Sequence, residues 1–134
     1  MKKFVLDTSV VVKWFSLEEK STEAEEILKK IEDKKIEVLL PELVKYELAN
    51  AFLKGKQFSL RQAGIGLEVF YSLPVIFVSE SFQIAKESYR LAEKFNLTYY
   101  DACFLALAKL RKIPLVTANP RHQRQIPGVK IISL

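Results

Sequence analysis

Three carboxylic acids in this chain stand where apolar residues would be expected. Asp7 interrupts the opening run "MKKFVLDTSVVVKWF", Glu47 sits within "ELVKYELANAFLK", and Asp101 within "YYDACFLALAKL". An unpaired carboxylate among apolar side chains costs several kcal/mol of desolvation on typical scales, so each needs a compensating interaction. Asp101 shares a helical face with Phe104, Leu105 and Ala108, three, four and seven residues on. Glu47 is flanked at helical spacing by Leu43, Val44 and Ala51, whereas Glu42 and Lys45 point elsewhere. Each acid also has a structural reading taken alone. Asp7 can cap a helix, Asp101 can complement a helix dipole for about 0.3–1 kcal/mol, and Glu47 can pair with a partly buried base. One shared cation explains all three at once. Oxygen ligands without nearby His or Cys suit Mg²⁺ or Mn²⁺ rather than zinc. Such ions take phosphate oxygens as further ligands, which links an acidic cleft to a polyanionic substrate.

The charge balance agrees with that substrate class. The chain has 134 residues, 21 Lys and Arg against 16 Asp and Glu, and a formal net charge of +5. A basic surface favours a polyanion without identifying one. With 49% hydrophobic residues the chain is expected to form one domain over residues 1–134 with a proper core. Cys103 is the sole cysteine, as expected in a reducing compartment. "FVL" is too short for a secretory h-region of roughly 7 to 15 apolar residues, and no run approaches the roughly 18 that a membrane span requires. A cytoplasmic location is expected.

The elements that must position the acids follow from apolar periodicity and capping residues. "KFVL" is a strand, and "DTS" starts a helix directly after it. Residues 21–35 form a second helix with Thr22 and Glu25 as a capping box. "IEVLL" is a strand ended by Pro41, and residues 42–54 a helix closed by Gly55. Residues 59–73 form a helix with Ser59 and Gln62 in capping-box register. "PVIFVS" is a strand. Residues 81–95 form an amphipathic helix that presents Phe82, Ala85, Tyr89 and Ala92 on one face and ends at Asn96. Thr98 caps the apolar helix 99–112, and "IPLVTA" and "VKIISL" are the final strands. Short apolar strands alternating with helices predict an α/β fold in three layers, with helices on both faces of a mainly parallel sheet of four to five strands. Ligands in such sheets bind beyond the carboxyl ends of the strands, where Asp7 and Asn119 both fall.

With these motifs in place, the chain resembles the PIN-domain ribonucleases and, within them, the VapC-type toxins of prokaryotic toxin–antitoxin pairs. "FVLDTSVVVKWF" looks like the family's first-strand motif, "ELVKYELANAF" its second acidic site, and "LTYYDACFLALAKLRKIPLVTA" its third acid and following strand. The resemblance implies a metal-dependent endoribonuclease whose catalytic, metal-holding acids are Asp7, Glu47 and Asp101, with Mg²⁺ or Mn²⁺ as cofactor and a 5′-phosphate product. It makes Thr8, Ser9 and Thr117 the hydroxyls that orient the carboxylates. It also implies a homodimer and a VapB-like antitoxin that blocks the cleft. The departure lies in "LVTANPRH": many members carry Asp where this chain has Asn119, which offers only a neutral oxygen and weakens a second metal position. The alternative is a catalytically weakened PIN-like module that binds RNA without cutting it. Arg121, His122 and Arg124 form a basic cluster beside Asn119 and are expected to contact RNA phosphates. Cys103, Trp14, Phe15 and Phe52 read as packing residues. A haloacid-dehalogenase-like phosphatase would need an acid at Ser9, and a dinucleotide fold a glycine-rich turn after the first strand; glycines occur only at 55, 64, 66 and 128.

Overall fold

The computed structural model describes residues 1–15, 22–119 and 125–134. β1 (Lys2–Leu6) lies at the centre of a five-stranded sheet in the order β3-β2-β1-β4-β5, where β2 is Ile36–Pro41, β3 Ile76–Val78, β4 Leu115–Thr117 and β5 Ile131–Ser133. Every pairing is parallel. Parallel neighbours need long crossovers, and the chain fills them with helices: α1 (Thr8–Lys13) and α2 (Thr22–Glu32) after β1, α3 (Leu43–Asn50) and α4 (Leu60–Ser72) after β2, α5 (Phe82–Phe95) and α6 (Tyr99–Arg111) after β3. The three-layer α/β architecture expected from the sequence is the one observed.

The sheet centre is fully apolar on both faces. Val5, Leu6, Val38, Leu40 and Leu115 have no exposed surface. Such strands are buried by helices on either side and therefore lack polar alternation. α6 is the innermost helix, with every residue from Ala102 to Ala108 buried. Its alanines at 102, 106 and 108 permit close approach, while Phe104, Leu105 and Leu107 fill the space. Burying each large side chain contributes about 1.5–3 kcal/mol.

Local signals act as anticipated at several boundaries. Ser59 and Gln62 make both capping-box hydrogen bonds, at 2.9 and 3.2 Å. Asn96 ends α5 in the left-handed conformation at φ 53°. Trp14 packs on the core and donates its indole N–H to the Ala24 carbonyl at 2.8 Å.

Three expectations need correction. Thr22 is the first residue of α2 rather than its cap, and the preceding residue lies outside the described ones. α5 turns a neighbouring stripe inward: Ser88 and Leu91 are buried, whereas Phe82 and Tyr89 are 81% and 66% exposed. A buried serine is tolerated there because its hydroxyl donates to the Ile84 carbonyl at 2.7 Å, satisfying it within the helix. Helix 42–54 is not uniform. It is α-helical to Asn50 and widens into a π-turn over Ala51–Gly55, where the Lys56 N–H reaches back to the Ala51 carbonyl at 2.9 Å. The wider turn seats buried Phe52 between Phe15 and Phe58, with ring centroids 5.2 and 5.1 Å away. Gly66 faces the same ring. A β-carbon there would stand 3.0 Å from Phe52.

Candidate active site

The strand order reverses at β1. The chain steps outward through β2 and β3, then returns to place β4 on the other side of β1. The carboxyl ends of β1 and β4 therefore lie side by side at the switch point, where parallel sheets leave a crevice. Leu6 pairs with Val116, and the Asp7 N–H donates to the Val116 carbonyl at 3.1 Å. This places Asp7 and Thr117 next to one another at the top of the sheet.

Asp7 is 5% exposed, and Thr117 beside it is fully buried. Thr117 donates its hydroxyl to Asp7 Oδ2 at 2.6 Å; Oδ1 accepts from the Ser9 backbone N–H at 3.0 Å and from the Ser9 hydroxyl. Ser9 Oγ also accepts from the Ala118 N–H at 3.0 Å, and Thr117 Oγ1 accepts from the Asn119 N–H at 2.9 Å. Hydroxyls at the two strand ends thus hold the Asp7 carboxylate through both of its oxygens. Asp7 is also the N-cap of α1, so its structural and its proposed chemical readings coexist.

Glu47 comes to the same crevice from the middle of α3. Thr8 donates to Glu47 Oε1 at 2.6 Å, tying the start of α1 to a residue 39 positions away. Asp101 arrives on the first turn of α6, whose N-cap Thr98 accepts from the Asp101 N–H at 3.1 Å. Asp7, Thr8, Ser9, Glu47, Asp101, Phe104 and Asn119 together line a cleft of about 160 Å³. The three sequence-predicted acids, two of the three predicted hydroxyls and Asn119 share one surface, while Thr117 stands behind Asp7. Arg121, His122 and Arg124 lie outside the described residues. Phe104, which shares a helical face with Asp101 in the sequence, lines the same cleft.

Burial dominates the electrostatics of Asp7 and Glu47. Burial pushes the Asp7 carboxyl above its ordinary range, against the opposing pull of hydrogen bonds from Ser9 and Thr117. Burial also pushes Glu47 up; the Thr8 hydrogen bond lowers it, and the charges of Asp101 and Asp7 raise it further. Among the described residues, neither Asp7 nor Glu47 forms an ion pair with a basic side chain. Mutual repulsion between acids across a cleft is relieved by a proton or by a cation. The donors are all oxygen, the set that hard divalent ions prefer. No group of three acidic, His or Cys side chains among the described residues is close enough to enclose an ion unaided. The fit to a divalent ion thus rests on the chemistry of the oxygen donors, and water and substrate oxygens would have to complete the coordination.

A second cavity on the far side of α3 and α6 was not anticipated. It has a volume of about 290 Å³ and is walled by Leu43, Tyr46, Val78, Ile84, Tyr99 and Cys103, among others. Cys103 is buried as expected, and its thiol, pushed up to about 11 mainly by burial, donates to Glu80 Oε1 at 3.6 Å. Of its lining residues, Cys103 reads as core in the sequence.

A doubly wound parallel sheet with acids gathered at its switch point defines a class of α/β domain that binds ligands at one sheet edge. A family model for the PIN domain matches residues 4–128, and the chain belongs to that family. Its fold is similar to a chain of VapBC2 from Rickettsia felis, solved bound to a promoter DNA fragment (TM-score 0.76, 18% identity, 98% of each chain covered). It is also similar to a chain of DNA-bound VapBC from Salmonella typhimurium (TM-score 0.70, 24% identity, 98% of this chain and 97% of that one). A third similar structure is VapC20 from Mycobacterium tuberculosis, described as a toxin that cleaves the sarcin-ricin loop (TM-score 0.67, 13% identity, 86% of this chain and 87% of that one). No curated protein is a significant sequence match. Among the described residues, no helix is long and apolar enough to cross a membrane.

Proposed function

We propose that the chain is a divalent-metal-dependent endoribonuclease and the toxin of a VapBC-type pair, acting in the cytoplasm as one domain over its 134 residues. The observation that carries this reading is the convergence of Asp7, Glu47 and Asp101, from three distant segments, on one cleft. Asp7, Glu47 and Asp101 would hold the ion, with a weaker contribution from the neutral oxygen of Asn119. A bound Mg²⁺ or Mn²⁺ supplies a lowered water pKa and neutralises charge on the scissile phosphate.

The chain's own residues supply positioning. Ser9 and Thr117 fix both oxygens of Asp7, and Thr8 fixes Oε1 of Glu47, leaving Oε2 without a protein partner among the described residues. Carboxylates clamped in this way keep their orientation as substrate enters, so less reorganisation accompanies the reaction. Phe104 contributes an apolar side chain to the lining of the same cleft. Hydrolysis leaves a 5′-phosphate on the downstream fragment. RNA as substrate is supported by the net charge of +5 and by the fold's likeness to the loop-cleaving VapC20. A VapB-like antitoxin is supported by the fold's likeness to chains solved in VapBC complexes, and a homodimer is part of the same proposal.

Incubating single-stranded and structured RNA with the protein in Mn²⁺, in EDTA, and as the Asp7→Asn variant tests the proposal. Cleavage is expected in Mn²⁺ only, and only with Asp7 in place. Cutting that survives EDTA or the substitution overturns the metal-nuclease reading. Binding without cutting in any metal, which the neutral Asn119 would favour, identifies an RNA-binding module instead.

A further inference from the structure

Beside the acidic cleft runs a trough of about 470 Å³, lined by Thr8, Ser9, Val12, Lys13, Lys56 and Asn119 among others. Thr8, Ser9 and Asn119 line both hollows, so the two are continuous. Lys13 stands one helical turn after Ser9, on the same face of α1. Lys56 comes from the other wall, directly after the π-turn. Its N–H is bonded to the Ala51 carbonyl, and two residues on the Phe58 N–H returns to the Phe52 carbonyl at 2.9 Å. Phe58 in turn packs on the Phe52 ring, so the backbone carrying Lys56 is anchored on both sides.

Both lysines are half-buried. Lys3, Lys29, Lys45 and Lys109 each pair with a carboxylate, but neither Lys13 nor Lys56 forms an ion pair among the described residues. Two half-buried lysines lining one trough, with no acid among its described lining residues, make a site for an anion. The trough opens onto the cleft where a scissile phosphate would sit, so the anion is the neighbouring phosphate of the same strand.

We propose that Lys13 and Lys56 form a phosphate-binding subsite that holds the RNA backbone one linkage from the cleavage point. This rests on the ribonuclease reading and adds a positioning function to it. The lysines touch phosphate and sit outside the acid cluster, so they fix the strand's path without taking part in bond breaking. Contacts of this kind are formed equally in the bound substrate and in the transition state, and therefore act on KM.

The test compares the full-length protein with Lys13→Gln, Lys56→Gln and the double variant, measuring RNA affinity over a salt series and steady-state cleavage in Mn²⁺. Each phosphate contact on a single strand contributes about 0.7 to the slope of log affinity against log salt, so the double variant is expected to lose about 1.4. KM is expected to rise roughly tenfold per lysine with kcat unchanged, and Lys56→Arg to restore much of the loss. Thermal melts check that each variant folds, and the two single variants report independently if the double one does not. An unchanged slope and KM in variants of an active enzyme overturn the subsite while leaving the nuclease reading intact. A fall in kcat at constant KM also overturns it. A wild-type protein that neither binds nor cuts RNA removes both.

Discussion

Two places in this molecule bury acidic side chains, and they treat them oppositely. In the seam between α5 and α6, Glu87 is held by Arg90 and by Lys109 at 3.3 Å. Burial works against its charged form, but hydrogen bonds and attraction from Arg90 and Lys109 win, and its carboxyl titrates below the ordinary range. At the switch point, Asp7 and Glu47 receive hydrogen bonds from neutral hydroxyls and, for Asp7, from backbone N–H groups, and both titrate above that range. On the proposed reading, the difference separates an acid used as glue from acids kept for a ligand. The seam supplies counter-charge to Glu87, whereas among the described residues Asp7 and Glu47 have no ion-pair partner.

The comparison can be broken most directly by loosening the cleft's hydroxyls. Thr117→Val and Ser9→Ala remove donors to Asp7 and leave its charge in place, so cleavage should fall about 10- to 100-fold, the usual effect of losing a partner of a metal-holding group. Activity titrated against Mn²⁺ checks this. A loss that saturating metal restores would locate the effect in ion affinity.

The next effect is on stability. A carboxyl whose folded pKa is raised stabilises the fold below its ordinary value, near 3.8 for Asp7 and 4.5 for Glu47, and that contribution is lost as pH rises through the raised value. The metal-free protein should therefore lose stability from these two groups as pH is raised from about 4 toward neutrality. A divalent ion favours their charged forms. Mg²⁺ at 100 times its Kd should add about 2.7 kcal/mol, and more of the effect should appear at pH 8 than at pH 5. Melting curves with Mg²⁺ or EDTA across that range measure both trends.

The smallest effects come from neutralising one acid in each region. Glu47→Gln removes repulsion from Asp7 and Asp101, so the metal-free melting temperature should rise at neutral pH. Glu87→Gln should lower it, by about 0.5–1 kcal/mol for a part-exposed ion pair. Because the Glu87 pKa is depressed, its contribution is present above pH 4.5 and disappears as pH falls through the lower folded value. A shift of the same sign in both variants would remove the distinction between the two regions.

Much of the cleft was legible because its residues obey local rules. A short apolar strand running into "DTS" predicts both the placement and the capping role of Asp7. Glu47 and Asp101 stood out because helical spacing placed them on apolar faces. The Thr8 bond to Glu47 was not legible as a pairing, since it spans 39 residues and depends on how α1 crosses α3. The inward stripe of α5 was misread for a different reason. Aromatic residues outweigh a serine in any count of hydrophobicity, yet Ser88 is small and can satisfy its hydroxyl within its own helix. Neither the π-turn nor the apolar cavity beside Tyr99 has a one-dimensional signature.

The π-turn also fixes a phase. An α-helix advances about 100° per residue, and a π-turn accommodates one residue more than a regular turn does. Removing one residue from Ala51–Gly55 would let the helix continue as a regular α-helix with the segments on either side in their present phase, whereas the same extra residue in a regular helix would turn Lys56 and Phe58 by about 100° relative to Glu47. Lys56 would then leave the trough and Phe58 the Phe52 ring, while the acids stayed in place. The wider turn thus absorbs one surplus residue and keeps the basic wall in register with the acid cleft.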